Sequence, residues 1–353
     1  HLENVSQQLI NPELEAESVS KGSEKSEATA TLLFTLPLGN KRSANIATAQ
    51  AEIKKSTAER DEIWQQTRLD MMLTLYRLSQ LKNEIAIEKE STETFTKIIS
   101  QFEKRPALTP EQNVSLSVFK MALADHHLKL ISIKSLEEKL YQSLIAVSKI
   151  KRELIEKNLP PRKLSWPEIQ KNKTNNDISA TTRKAFAELQ IAESLTDKAR
   201  AEIWPDLKLG PTLKSTRDNS STETYIGISF NLSLPVFQRN SGQLSFYEQK
   251  KVAASLTLEQ VKNTESTTRN QLVHKYYQTV QALNGTLSLN TINENHSQIE
   301  KQFFKGLVSS TLVIEAHRQL IDLEERRNNA ELEALEALGK ILTIDNEFQE
   351  VIL

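Results

Sequence analysis

The sequence predicts a mainly α-helical fold with a β membrane part, arranged as two strand–strand–helix–helix repeats. Three observations predict it. Of 353 residues only 8 are glycine and 6% are aromatic, while Glu, Lys, Leu and Ala abound, a make-up that suits long helices better than a compact enzyme. The chain also repeats itself. "TLPLGNKRSANIATAQAE" from Thr35 is answered by "SLPVFQRNSGQLSFYEQK" from Ser233, "NPELEAES" from Asn11 by "WPDLKLGP" from Trp204, and "QFEKRPALTPEQN" from Gln101 by "QFFKGLVSSTLVI" from Gln302. All three pairs keep the same order, roughly two hundred residues apart. Third, short segments alternate with period two and long ones carry apolar residues at three- and four-residue spacing.

Taken in order, the first repeat covers 1–150, with strands at about 12–20 and 29–38 and long helices at about 43–101 and 109–157. A connection at 151–182 follows, carrying three prolines and a polar cluster; it reads as an ordinary inter-repeat linker in which Ser165 caps a short helix after Trp166-Pro167. The second repeat covers 183–353, with a helix to about 203, strands at about 206–215 and 224–235, and helices at about 241–304 and 310–346.

The strands are two-faced. Ile226, Ile228, Phe230, Leu232 and Leu234 alternate with Gly227, Ser229, Asn231 and Ser233, and Leu207, Leu209, Pro211 and Leu213 alternate with Lys208, Gly210, Thr212 and Lys214. Leu32, Phe34 and Leu36 repeat the pattern more weakly, because Leu33 falls on the polar face. One apolar and one polar face over about 9–11 residues suits a membrane barrel strand, and equally a sheet half-buried on a soluble core. The helices decide between them. Seams such as Leu136, Leu140, Leu144, Val147 and Val313, Ala316, Leu320, Leu323 have coiled-coil spacing beneath heavily charged outer faces. Helices of about 80–90 Å cannot pack around four strands and must project from them. They double back at two turns: "ALTPEQ" places Thr109 as N-cap, Pro110 at the first helical position and Gln112 at the capping-box position, while Gly306 supplies a stop before a cap at Ser309 or Ser310.

Four strands with a lipid-type face leave two open edges, which hydrocarbon does not tolerate. Closed membrane barrels start at about eight strands, so the chain is expected to share a barrel with copies of itself; three copies give twelve strands and a lumen.

At this point the sequence resembles the TolC-like outer-membrane efflux channels, in their heavy-metal and cation-efflux branch. The residues that carry the likeness are "NPELEAE", "ARAEIWPDLKLGP", "GISFNLSLPVFQRNSGQL" and "FFKGLVSSTLVIEAHRQLIDLEER", and they span essentially the whole chain. The resemblance implies a homotrimer in the bacterial outer membrane, in contact with its lipid. It implies a twelve-stranded β-barrel on a periplasmic α-barrel, docked to a periplasmic adaptor (membrane fusion protein) and an inner-membrane RND-type pump. It also implies a helix pair before the first strand. Here ten residues precede Asn11, without an initiator Met or a signal-peptide pattern, so the start reads as processed or truncated. Two alternatives share parts of the pattern: a type I secretion channel of the same architecture, and a periplasmic coiled-coil adaptor or scaffold.

Such a channel needs no catalytic group and no cofactor. The family narrows its periplasmic end with acidic residues at the start of the last long helix, where this sequence has Glu315 at one position and Leu312 at the other; Glu111 is the first-repeat equivalent of Leu312. An acidic ring favours cations, although Glu315 would also complement a helix N-terminus. The expected adaptor-docking tips are Lys104, Arg105, Pro106 and Lys305, Gly306, Leu307, and the expected lipid-facing residues are Ile226, Ile228, Phe230, Leu232 and Leu234.

The remaining chemistry is sparse. His126 and His127 are adjacent and point apart, and His274, His296 and His317 lie on separate stretches, so all are expected to be packed or solvated, with no metal site. Met71, Met72 and Met121 read as helix-seam residues. No phosphate loop, dinucleotide fingerprint, HExxH or nucleophile elbow occurs, and no enzyme is expected. A net charge of −1 gives no field for nucleic acid, and the absence of cysteine removes disulfides, thiolate metal sites and a lipidated cysteine within these residues.

Overall fold

A computed structural model describes residues 2–21, 25–163, 165–170, 178–218, 221–237, 239–287 and 289–348. Its elements run α1 (Leu2–Gln7), β1 (Glu13–Lys21), β2 (Lys25–Pro37), α2 (Lys41–Glu103), α3 (Pro110–Ser148), α4 (Arg152–Lys157), α5 (Ala180–Ala201), β3 (Asp206–Asp218), β4 (Ser221–Leu232), α6 (Ser241–Gly285), α7 (Leu289–Phe304) and α8 (Ser310–Ile344). Two compact units result, one formed by His1–Ile63 and Ile178–Glu265, the other by Trp64–Asp177 and Ser266–Leu353. Each unit takes part of both sequence repeats.

The first unit holds the sheet, which is antiparallel throughout in the order β1-β2-β3-β4. The central β2–β3 pairing joins the hairpin of one repeat to that of the other, with Phe34 opposite Leu209 and Leu36 opposite Leu207. Both hairpins return through the repeated proline motif, and in both copies an asparagine then takes left-handed backbone: Asn40 at φ 65° and Asn240 at φ 52°. Asparagine tolerates this region because its short polar side chain bonds locally. The carbonyls of Asn40 and Asn240 accept the first helical N–H bonds, from Ala44 at 3.1 Å and Leu244 at 3.0 Å. Beneath the sheet the helices pack through small residues. Ala44, Ala51 and Ala58 on α2 and Ala185, Ala187, Ala192 and Ala199 on α5 are all buried. Little apolar volume is available there, so ion pairs set the register: Lys55–Glu188 at 3.1 Å, Lys184–Glu62 at 3.1 Å and Lys41–Asp206 at 2.7 Å.

The second unit carries three apolar clusters. Val273, Tyr276 and Leu283 of α6 meet Ala334, Ala337, Leu338 and Ile341 of α8. Phe95, Ile98 and Ile99 of α2 meet Phe119 of α3 and Val313 of α8. Leu78 of α2 meets Tyr141 and Leu144 of α3 and Ile155 of α4. Between them lies a buried polar knot. Arg162 bonds Glu324 at 3.0 Å, Glu331 at 2.8 Å and Asn328 at 3.1 Å, and Arg77 bonds Glu84 at 2.6 Å. Burial raises the Glu324 carboxyl above its ordinary range, against the pull of Arg162.

Several boundaries differ from the sequence expectation. The helix expected over 109–157 ends at Ser148, because Lys149 turns left-handed at φ 59° and its N–H bonds Ile145 O; α4 restarts at Arg152. The helix expected over 241–304 stops at Gly285 and resumes as α7, a break at the one glycine in the interior of that run, where backbone ordering costs most. Strand β4 ends at Leu232, leaving Leu234 beyond it, before a proline that has no N–H to give to a ladder. Among the described residues the short helix expected after Trp166-Pro167 does not begin. Residues 165–170 run without regular structure, and their backbone serves as a partner instead: Pro167 O accepts from Tyr276 OH at 2.7 Å, and Ile169 bonds Tyr277 OH through both its N–H and its C=O. Residues 171–177 of the expected linker lie outside the described residues.

One glycine holds the sheet together. A Cβ on Gly210 would stand 1.7 Å from the Leu32 carbonyl oxygen, so β2 and β3 approach here only because no side chain intervenes. Gly210→Val is expected to separate the central strand pair at a cost of at least about 3 kcal/mol. Gly227→Val, with nothing within 4 Å of its added Cβ, is the tolerated control. Heat-modifiability on gels and protease resistance of the sheet distinguish the two.

Candidate functional site

Cross-strand pairing sorts the sheet into two unlike faces. On one, apolar residues align in columns across β2, β3 and β4: Leu36–Leu207–Leu232, Phe34–Leu209–Phe230 and Ala30–Leu213–Ile226, with Pro211 opposite Ile228. Most of these side chains are exposed, while Leu207 and Leu209 of the central strand are half-buried. Ile226 is 84% exposed, Ile228 and Phe230 are each 71% exposed, and Leu14, Leu32, Phe34 and Leu36 are exposed too. The first four residues expected to face lipid thus share this face, and Leu234 is exposed just past the strand end. The opposite face is polar and laddered by charge. Lys208 bonds Glu13 at 2.6 Å, Lys214 bonds Glu27 at 2.9 Å, and the Thr31 and Thr212 hydroxyls meet at 3.0 Å. Leu33 is the exception there, 1% exposed beside the bare backbone of Gly210. Strands β1 and β4 form the edges, and each has a neighbour on one side only. No helix among the described residues is long and apolar enough to cross a membrane.

In the second unit both turns leave a single aromatic core, where Phe102 and Phe303 pack against Phe119 at ring distances of 6.3 and 5.9 Å. At one turn Lys104, Arg105 and Pro106 are exposed and the Thr109–Gln112 capping box is complete. At the other, Gly306 sits at φ +75°; its N–H bonds Phe303 O at 2.8 Å while Leu307 N–H bonds Gln302 O at 3.0 Å. That pair of hydrogen bonds is the Schellman stop, which a left-handed glycine makes without strain. Lys305, Gly306 and Leu307 are exposed, as are Leu312 and Glu111 near the starts of α8 and α3. Ser309 holds the N-cap position of α8 without a side-chain cap bond.

Glu315 lies one turn into α8 and bonds side chains rather than the helix terminus. Arg318 donates to both its oxygens, at 2.6 and 2.9 Å, and Gln319 donates at 2.8 Å. The Arg318 contact, followed by Gln319, lowers the Glu315 pKa to about 2, and Arg318 also bonds Asp322 at 2.9 Å. Glu315, Arg318 and Asp322 form an exposed trio with one net negative charge.

The histidines depart from expectation. His296, Glu300 and His317 gather in one place, each offering a ligand-type atom within 4.8 Å of the others. His296 Nε2 lies 3.3 Å from His317 Nδ1, and His317 Nε2 lies 3.2 Å from Glu300 Oε1. His317 is fully buried, its ring edge-on to Phe95 at 4.9 Å, and burial first, then His296 and His126, lower its pKa to about 3. His126, on the other flank of Phe95, bonds buried Glu88 at 2.7 Å. The expectation that His296 and His317 stand apart from other ligand-type groups is therefore corrected. The signal was in the sequence, since His296 and Glu300 stand four apart on one helix, a spacing that puts both on one face. His317 comes from a different helix, and only the fold brings it there.

No family model matches the chain. It is 25% identical over 274 residues to the cobalt-zinc-cadmium resistance protein CzcC of Cupriavidus metallidurans, covering 75% of this chain and 63% of that one. The chain thus spans a little under two thirds of that relative's length. Among solved structures it superposes on the CmeC outer membrane channel of Campylobacter jejuni with a TM-score of 0.72 at 13% identity, over 98% of this chain and 79% of that one. On the outer membrane protein VceC of Vibrio cholerae the TM-score is 0.70 at 16% identity, over 98% and 89%. The chain has the fold of these outer-membrane proteins, long helices joined to a four-stranded share of a β-sheet.

Proposed function

We propose that this chain is one protomer of a trimeric outer-membrane export channel that passes metal cations or small toxic compounds from the periplasm. The carrying observation is the two-faced sheet with two one-sided edges. Its apolar columns suit acyl chains, and its Glu–Lys ladder suits water. In hydrocarbon each unpaired backbone group costs several kcal/mol, so β1 and β4 need partners. Two copies would give eight strands, whose interior is filled by side chains, whereas three give twelve and leave a polar lumen.

The cargo reading rests on the resistance relative, whose printed name covers cobalt, zinc and cadmium. Export is powered elsewhere, by an inner-membrane RND-type pump reached through a periplasmic adaptor. The exposed turns Lys104–Pro106 and Lys305–Leu307 are the docking tips: two rigid, capped hairpins presenting cations beside an apolar Leu307. The trio of Glu315, Arg318 and Asp322 forms the gate charge, with Leu312 and Glu111 near the same end.

Two substitutions test this reading. Phe230→Arg places a cation in the centre of the lipid face and is expected to cost about 2–4 kcal/mol of barrel stability, so heat-resistant trimers disappear from outer-membrane fractions. Unchanged trimers would take the strand out of lipid. Glu315→Gln leaves the gate trio neutral. Single-channel recordings are then expected to show lower cation selectivity with an unchanged melting temperature. Unchanged selectivity together with a less stable helix would instead mark Glu315 as a stabiliser of α8.

A further inference from the structure

We propose that His296, Glu300 and His317 form a binding site for one divalent first-row transition-metal ion of the zinc class, bridging α7 to α8. This goes beyond the channel reading and does not depend on its cargo, since a channel for organic compounds would hold the same ion.

The clustering of the three side chains around a buried, unpartnered His317 Nε2 carries the inference. The Ser91 hydroxyl has a single proton, and the Ile87 carbonyl takes it at 3.1 Å. With its proton there, Ser91 Oγ can accept from His317 Nδ1 at 2.9 Å, and the proposed site takes the tautomer with the ring proton on Nδ1. That leaves His317 Nε2 as a bare lone pair. It has no hydrogen-bond partner, although its ring is fully buried, and it faces Glu300 Oε1 at 3.2 Å. A lone pair and a carboxylate oxygen at this distance repel unless something positive lies between them. Glu300 Oε1 is also fixed from behind by the Thr94 hydroxyl at 3.2 Å. This is the arrangement of a ligating histidine and carboxylate: the far ring nitrogen held by an outer partner that sets the tautomer, and the acid held by a second hydrogen bond.

The dimensions agree. Zinc–nitrogen and zinc–oxygen bonds of about 2.0–2.2 Å put neighbouring ligands of a tetrahedron about 3.3 Å apart. The Nε2–Oε1 edge is already that long, and a His296 ring nitrogen lies within the 4.8 Å spread of the set; its Nε2 stands 3.3 Å from His317 Nδ1, so a turn of the His296 ring is needed to close the face on Nε2. Two imidazoles and one carboxylate select zinc or cobalt over calcium and magnesium, which prefer oxygen, and over copper(I), which prefers thiolate or thioether. The entry path is a groove of about 480 Å³ lined by Glu90, Arg162, Asn293, His296, Glu300 and Glu324; Arg162 pairs with Glu324, and Glu90 and Glu300 supply the negative charge along it. Because the ligands flank the Gly306 turn, the ion staples the hairpin on which the exposed tip Lys305–Leu307 is mounted.

The test uses the full chain, purified in detergent and stripped with chelator, then titrated calorimetrically with zinc chloride and spectroscopically with cobalt chloride. The expected result is saturation at one ion per chain, intense visible bands from low-coordinate cobalt, and a rise in melting temperature with zinc. Glu300→Gln and His296→Ala are expected to abolish all three. Ser91→Ala is expected to weaken binding by about ten- to a hundredfold, and Glu294→Gln, an exposed acid on the same helix, to leave it unchanged. No stoichiometric binding, or binding that survives both Glu300→Gln and His296→Ala, overturns the proposal. Since trimers are scored on the same samples, loss of the metal site with trimers intact refutes this inference alone. Failure to form trimers refutes only the channel reading.

Discussion

An antiparallel sheet with two unlike faces and two unsatisfied edges is the constraint on which the rest of this molecule depends. Inside a soluble domain, columns such as Phe34–Leu209–Phe230 would be covered by a helix or a second sheet; here they stand open. The other face cannot serve as a core either, because Lys208, Lys214, Glu13 and Glu27 pair across it. Neither face closes the problem within one chain, and neither edge does. The channel proposed for this chain supplies what is missing: lipid on one side, water on the other, and further strands of the same kind at both ends. Gly210 and the paired turns at Asn40 and Asn240 then acquire their meaning. They let the hairpins of two sequence repeats lie against each other and hand the chain over to long helices.

Those helices solve a different problem. Long two-faced helices leave narrow seams, and the first unit fills its seam with alanine, so close approach and ion pairs take the place of bulk. The second unit fills its seams with aromatics at one level and with a buried polar knot at another. Arg162 matters most in that knot. It satisfies Glu324, Glu331 and Asn328 together, and removing it would leave Glu324 buried without its counter-ion and Glu331 with Arg327 alone, at 3.4 Å. The inter-repeat segment is thus more than a linker. It supplies the cation of the knot, and through Pro167 and Ile169 it supplies backbone partners for two tyrosines.

Much of this was legible from residues alone, and the limits of that reading are physical. Strand alternation, the repeated proline turns, the Thr109–Gln112 capping box and the Gly306 stop are local signals, set by neighbours within a few positions. The break at Lys149 carried no such signal, because a lysine entered left-handed backbone without glycine or proline to announce it. Gly285 did announce a break, but a single glycine does not say whether a helix bends or stops. Arg162 and His317 were illegible for another reason: their partners lie on other helices, far away in sequence. Half of the histidine cluster was readable, as His296 and Glu300 share a helix face, and the other half required the fold. Glu315 was read as an acidic position, but its neutralising partner Arg318, three residues on, was overlooked.

In the proposed trimer, β1 of one chain completes the ladder of β4 of another until three chains close a ring. The absence of cysteine permits a direct measurement, with cysteine pairs stepped along β1 and β4, Ala16→Cys with Ile228→Cys among them, and oxidation in intact outer membranes. The predicted result is a ladder of covalent dimers and trimers that stops at three chains for pairs in register. Monomers only, or a ladder that runs on past three, would contradict it.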